Sequence, residues 1–152
     1  MNGRLTLLGM ILCVLAEAGC QTGPKIQPPT AGVARVELIE QTPQGVRLQL
    51  VIVMENPNQI PLPLEASQYT VVLNGQQTFS YTDRPKRTIP AGGRQVLELP
   101  AVFKIGGRKL SGSVYTVTGT VSYRPPGQFQ RFLTESGLPL PSVEYRASGT
   151  VR

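Results

Sequence analysis

The sequence predicts an all-β protein, an antiparallel sandwich of about seven or eight short strands. Three observations predict it. Apolar and polar residues alternate at a period of two along several segments. Clusters of Gly, Pro and Asn punctuate those segments at short intervals. One cluster is an Asn-Gly pair between two alternating runs, the strongest short-range hairpin signal.

The elements follow in order. A first strand is expected over residues 33–41, closed by Thr42-Pro43-Gln44-Gly45. In "GVRLQLVIVMEN", residues 45–56, Val46, Leu48, Leu50, Ile52 and Met54 share one face. Arg47, Gln49 and Glu55 take the other, the pattern of a half-buried strand. Asn56-Pro57-Asn58 ends that run. Pro57 holds Asn56 extended, and Asn side chains bond nearby backbone in turns. The triplet therefore reads as a structural strand exit rather than a binding site. "YTVVL" and "QTFSY", residues 69–73 and 77–81, flank Asn74-Gly75. A type I′ turn needs positive φ at both central residues, which Asn and Gly tolerate best.

Ala91-Gly92-Gly93 leads into "RQVLELPAVFKI", residues 94–105, with Leu97, Leu99, Ala101 and Phe103 on one face. Pro100 has no N–H to donate, which places this strand at an edge or on a bulge. "GGRKLSG", residues 106–112, allows one short helix. "SVYTVTGTVSYR", residues 113–124, turns Tyr115, Val117, Val121 and Tyr123 inward. Thr116, Thr118, Thr120 and Ser122 point outward, where β-branched threonine suits an exposed sheet. After Pro125-Pro126-Gly127, further strands are expected at 128–136 and 142–151.

Ahead of the strands lies a different kind of sequence. Met1 to Arg4 carries one basic residue, and "LTLLGMILCVLA", residues 5–16, is almost wholly apolar. Small residues and Cys20 follow. A basic start, a short apolar stretch and a small-residue exit describe an export signal. The run is shorter than the roughly 20 residues of a membrane-spanning helix. Ala18-Gly19-Cys20 resembles the bacterial lipoprotein signal, although Glu17 stands where that pattern prefers an apolar residue. The resemblance implies a signal over 1–19 and a diacylglyceryl-modified Cys20 as the mature N-terminus. Ordinary cleavage would instead leave a soluble exported chain with a free Cys20. Gln21, where Asp often retains lipoproteins in the inner membrane, points to the periplasmic face of the outer membrane. Residues 20–32 carry Pro24, Pro28 and Pro29 and read as a semi-stiff tether to a domain over 33–152.

Charge and composition narrow the chemistry. The net charge of +6 is spread, apart from "RPKR" at 84–87, and points to no nucleic-acid partner. No disulfide is expected, because Cys13 falls within the signal. Histidine is absent, and once Cys20 is acylated no thiol nucleophile remains. Eight mature carboxylates are scattered over strands and turns, which is weak ground for a metal site without His or Cys. The Gly pairs 92–93 and 106–107 read as turns, not phosphate loops. Neither catalysis nor a cofactor is expected.

The stretch "VIVMENPNQIPLPLEASQYTVVLNGQ", residues 51–76, resembles the WHy domain of the late embryogenesis abundant type 2 family. The ordered features are the Asn56-Pro57-Asn58 exit, the Tyr69 strand into Asn74-Gly75, "IPAGG" at 89–93 and "LPLPSVEYRASGTV" at 138–151. Ser80-Tyr81 departs from the Gly that many members have nearby. The resemblance implies an immunoglobulin/fibronectin-III-like sandwich. It also implies a non-enzymatic protein that shields client proteins or membranes during desiccation or other stress. A structural or assembly lipoprotein docking to a dedicated envelope partner is the alternative. If each connection reverses the chain, Arg84, Lys86, Arg87 and Arg124 lie at the tether end. Lys104, Arg108 and Lys109 then lie at the other. The basic loop of Arg84, Lys86 and Arg87 is accordingly expected to face the membrane.

Overall fold

The computed structural model describes residues 26–104, 110 and 112–151. The signal, Cys20 and the first part of the tether lie outside the described residues. So do Arg108 and Lys109, together with most of the segment expected to form a short helix at 106–112.

Among the described residues, eight strands form two antiparallel sheets. Strands β1 (Thr30–Gln41), β2 (Val46–Glu55) and β6 (Arg94–Phe103) make a three-stranded sheet in the order β1-β2-β6. The second sheet has the order β4-β3-β7-β8: β3 (Leu62–Leu73), β4 (Gln77–Asp83), β7 (Val114–Tyr123) and β8 (Ser142–Thr150). The two-residue β5 (Thr88–Ile89) pairs with the start of β3. The fold is an immunoglobulin/fibronectin-III-like sandwich.

The alternation explains the layering. Val46, Leu48, Leu50, Ile52 and Met54 are all buried. Across the core they meet Val71, Val117 and Val121 from the other sheet. Leu97, Leu99, Ala101 and Phe103 complete the inner face of β6, an edge strand, so Pro100 breaks no bond to an outer neighbour. On the inner face of β7 and β8 two aromatic rings lie across glycines of the neighbouring strand. Gly119 pairs with Tyr145, and Gly149 pairs with Tyr115. A Cβ at Gly119 would sit 2.5 Å from the Tyr145 ring, so the ring occupies the space a side chain would take.

The Asn74-Gly75 turn has φ of 51° and 68°, and Gln76 N–H bonds Leu73 C=O at 3.2 Å. The ladder resumes with Leu73 opposite Gln77, leaving Gln76 as one extra residue. Ser80 and Tyr81 continue β4 without a turn.

Two expectations are corrected. The strand expected at 128–136 is a helix, α1 (Gln128–Glu135). Phe129, Phe132 and Leu133 repeat at three and four residues, a helical spacing. Gly137 at φ 63° then caps the helix, with Leu138 N–H to Leu133 C=O at 3.0 Å and Gly137 N–H to Thr134 C=O at 3.4 Å. The tether also ends sooner than residue 32. β1 starts at Thr30, and Pro29 is fully buried.

Candidate functional site

The strands run between two ends. Thr30 lies opposite Glu55, and Glu55 opposite Arg94, at the end where the tether arrives. Gln41 lies opposite Val46, and Val46 opposite Phe103, at the end that also holds the Asn74-Gly75 hairpin. We call these the tether end and the hairpin end.

Asn56, Pro57 and Asn58 sit at the tether end, and the two asparagines are buried. The Asn56 side-chain amide donates to Ile60 C=O at 2.7 Å and to Pro90 C=O at 3.1 Å. Its Oδ1 accepts from the backbone N–H of Asn58 at 3.0 Å and from Asn58 Nδ2 at 2.9 Å. Its own N–H reaches Gly93 C=O at 2.9 Å. One amide thus joins the β2–β3 connection to the turn before β6. Asn58 extends the seam to the tether. Gln27 N–H donates to Asn58 Oδ1 at 2.8 Å, and Asn58 Nδ2 donates to Gln27 C=O at 2.8 Å. The side chain pairs with the tether as a strand's peptide would. Both asparagine side-chain amides are partnered on their oxygen and nitrogen, so the two residues form a structural seam, while Pro57 between them is exposed.

Arg84, Lys86 and Arg87 are exposed on the connection from β4 to β5 at the same end. Leu64 N–H bonds Arg87 C=O at 2.8 Å and fixes the loop against β3. Lys86 has φ of 43°, in the left-handed region. Among the described residues none of the three makes an ion pair. Arg124 is different: it is at this end but bonds Glu65 at 2.6 Å, which offsets its charge. Lys104 lies at the hairpin end, where its carbonyl accepts from Gln77 Nε2 at 2.9 Å.

Asn74 does more than turn the chain. Its N–H donates to Val114 C=O at 2.7 Å and its Oδ1 accepts from Val114 N–H at 3.0 Å, so it ties the hairpin to β7. Nothing in the local sequence names that partner.

Two further features are accessible to other molecules or hold unusual chemistry. The outer face of the larger sheet forms a shallow trough of about 830 Å³, lined by Thr70, Ser80, Thr82, Thr118, Thr120 and Arg146 among others. Inside, burial pushes the Tyr69 phenol well up, with Tyr145, Asp83 and Tyr81 adding to it, and its hydroxyl donates to Pro100 C=O at 2.5 Å. Burial also raises Tyr123 and Tyr145. Ser67 lies beside the Tyr145 hydroxyl and acts in the opposite sense, yet neither buried hydroxyl reaches hydrogen-bonding geometry. Among the described residues no group of three or more acidic, His or Cys side chains is placed to hold a metal ion.

The comparisons agree with this architecture. The family model described as late embryogenesis abundant protein (LEA type 2) matches residues 52–151. A late embryogenesis abundant protein solved in solution superposes with a TM-score of 0.59 at 17% identity, over 80% of this chain and 69% of that one. A protein from Arabidopsis thaliana, also solved in solution, gives 0.56 at 14% identity, over 87% and 86%. Identities this low speak for the fold alone. No curated protein matches the chain by sequence.

Proposed function

Since this chain belongs to the late embryogenesis abundant protein family, type 2, we propose that it is a non-enzymatic WHy-type lipoprotein of the cell envelope. It is held by an acylated Cys20 on the periplasmic face of the outer membrane, where it protects proteins or membranes during desiccation and related stress. The observation that carries this reading is the Asn58–Gln27 pairing. It fixes the incoming chain at the end that presents Arg84, Lys86 and Arg87, so an anchor at residue 20 would hold that end toward the lipid. A chain carrying two or three acyl groups stays on its membrane, and a single acyl chain does not suffice. Unpaired cations close to an anionic surface add about 1 kcal/mol each.

The test compares the full-length chain with its Cys20→Ala variant in the producing cells. Mass spectrometry of the mature N-terminus is expected to find acyl groups on Cys20, and the variant to move to the soluble envelope fraction. Survival after drying is expected to fall in the variant. An unmodified Cys20 contradicts the anchor. Equal survival with the anchor intact contradicts the protective role.

A further inference from the structure

The connection from β7 to β8 carries an apolar face that the domain does not cover. α1 buries Leu133, only 6% exposed, but leaves Phe129 and Phe132 at 52% and 55%. The two rings are three residues apart and share a flank of the helix. Leu138, just past the cap, is 49% exposed. Both feet of this excursion are tied to the tether end: Arg124 N–H bonds Pro63 C=O at 2.9 Å, and Tyr123 N–H bonds Pro141 C=O at 3.0 Å. On the other side of the same β3 start, Leu64 holds Arg87 and its loop. Arg131, also exposed, stands on α1 two residues after Phe129 and one before Phe132, and so projects from a different side of the helix.

We propose that α1 and Leu138 form a lipid-facing foot, in which Phe129, Phe132 and Leu138 enter the interfacial layer of an anionic bilayer while Arg84, Lys86, Arg87 and Arg131 meet its phosphates. Two observations select lipid as the occupant. The residues that precede Ile26, including the apolar run and Cys20, join the domain at this end through the Gln27–Asn58 pairing. Arg84, Lys86 and Arg87, exposed at the same end of the domain, and Arg131 on α1 make no ion pair among the described residues, so they complement an anionic surface. Phe and Leu on one face of an amphipathic helix bury at the boundary of headgroups and acyl chains while its polar face stays wet. A helix of eight residues is a weak binder alone, but a tether raises its effective concentration at the surface. The foot deepens the proposed membrane attachment and rests on it for its lipid neighbour.

The chain has no Trp, so Phe129→Trp makes a single reporter. The full-length variant is reconstituted in phosphatidylglycerol-rich and in phosphatidylcholine vesicles. Emission is expected to shift to the blue and to be quenched by brominated lipid in the anionic vesicles, with the shift reduced by salt. In the same chain with Cys20→Ala, adding Phe132→Ser or Leu138→Ser is expected to lower the partition coefficient about fivefold each. A chain held by its acyl groups whose reporter stays wet overturns the foot and leaves the anchor standing. A blue shift in anionic vesicles by a chain whose Cys20 is found unmodified keeps the foot and removes the anchor. A blue shift without vesicles that grows with protein concentration means a second copy covers the helix, and overturns the lipid assignment.

Discussion

At the hairpin end the chain reverses within a few residues by local bonds. Thr42 N–H reaches Gly45 C=O at 2.8 Å, and Gln76 N–H reaches Leu73 C=O at 3.2 Å. At the tether end the connections are longer and are held by side-chain amides acting across the chain. Asn56 reaches Pro90, 34 positions away, and Asn58 reaches Gln27, 31 positions away. The turns of the hairpin end are closed by their own residues, with Asn74 and Gln77 adding exposed side-chain bonds to Val114 and Lys104. The tether end is shaped by a buried polar seam that brings the incoming chain, the β2–β3 connection and the turn before β6 to one place. The exposed cations of 84–87 and the open flank of α1 lie around that seam. A rigid, well-partnered support beneath an exposed charged and apolar rim is the arrangement expected of a surface that meets something else.

Substitution at matched asparagines is the sharpest way to break this comparison. Asn56→Ala removes a buried amide and strands the carbonyls of Ile60 and Pro90, so a loss of about 2–4 kcal/mol is expected. Asn74→Ala removes exposed side-chain bonds to Val114 and Ser113 and places Ala at positive φ, for a loss of roughly 1–2 kcal/mol. Denaturant midpoints at unchanged slope measure both. An equal or reversed order would mean that the seam is not what holds the tether end.

Alkaline titration probes the tyrosines between and beside the ends. Tyr69, Tyr123 and Tyr145 all have raised values in the folded chain. Their contribution is complete below about pH 10, where unfolded tyrosine is neutral, and is lost as pH climbs toward the folded values. Unfolding free energy is therefore expected to fall steadily above about pH 10. Tyr69→Phe should reduce that slope, and an unchanged slope would exclude Tyr69 as a source.

The smallest expected effect is a gain. Lys86 holds φ of 43°, where a residue with a Cβ is disfavoured. Lys86→Gly is expected to raise stability by a few tenths to about 1 kcal/mol, read as a higher denaturation midpoint. A loss would mean that the Lys86 stem contributes packing that outweighs its backbone cost.

The sequence is legible where structure is local. Period-two alternation places every inward residue of β2, β6 and β7, and Asn74-Gly75 marks its own turn. The tether end is harder to read, because its determinants act at a distance. Asn56 and Asn58 look like an ordinary strand exit, and only the fold supplies Gln27, Ile60 and Pro90 as partners. The α1 segment was open to reading. Phe129, Phe132 and Leu133 repeat at helical spacing and Gly137 stands at a cap position, but aromatic content and the surrounding strands favour a β reading. Pro125 is buried and Gly127 has φ of 70°, so the chain leaves the sheet before α1 begins, which the proline pair only hints at.

The central claim is that the tether end faces the bilayer. The direct measurement is energy transfer from a single label to an acceptor dye in the membrane. The acylated full-length chain carries the label at Arg84→Cys or at Gln76→Cys, both exposed positions at opposite ends. Strands of about ten residues separate the ends by roughly 30 Å. Transfer from position 84 is predicted to be strong and from position 76 weak. Equal transfer from both, or stronger transfer from position 76, would contradict the account.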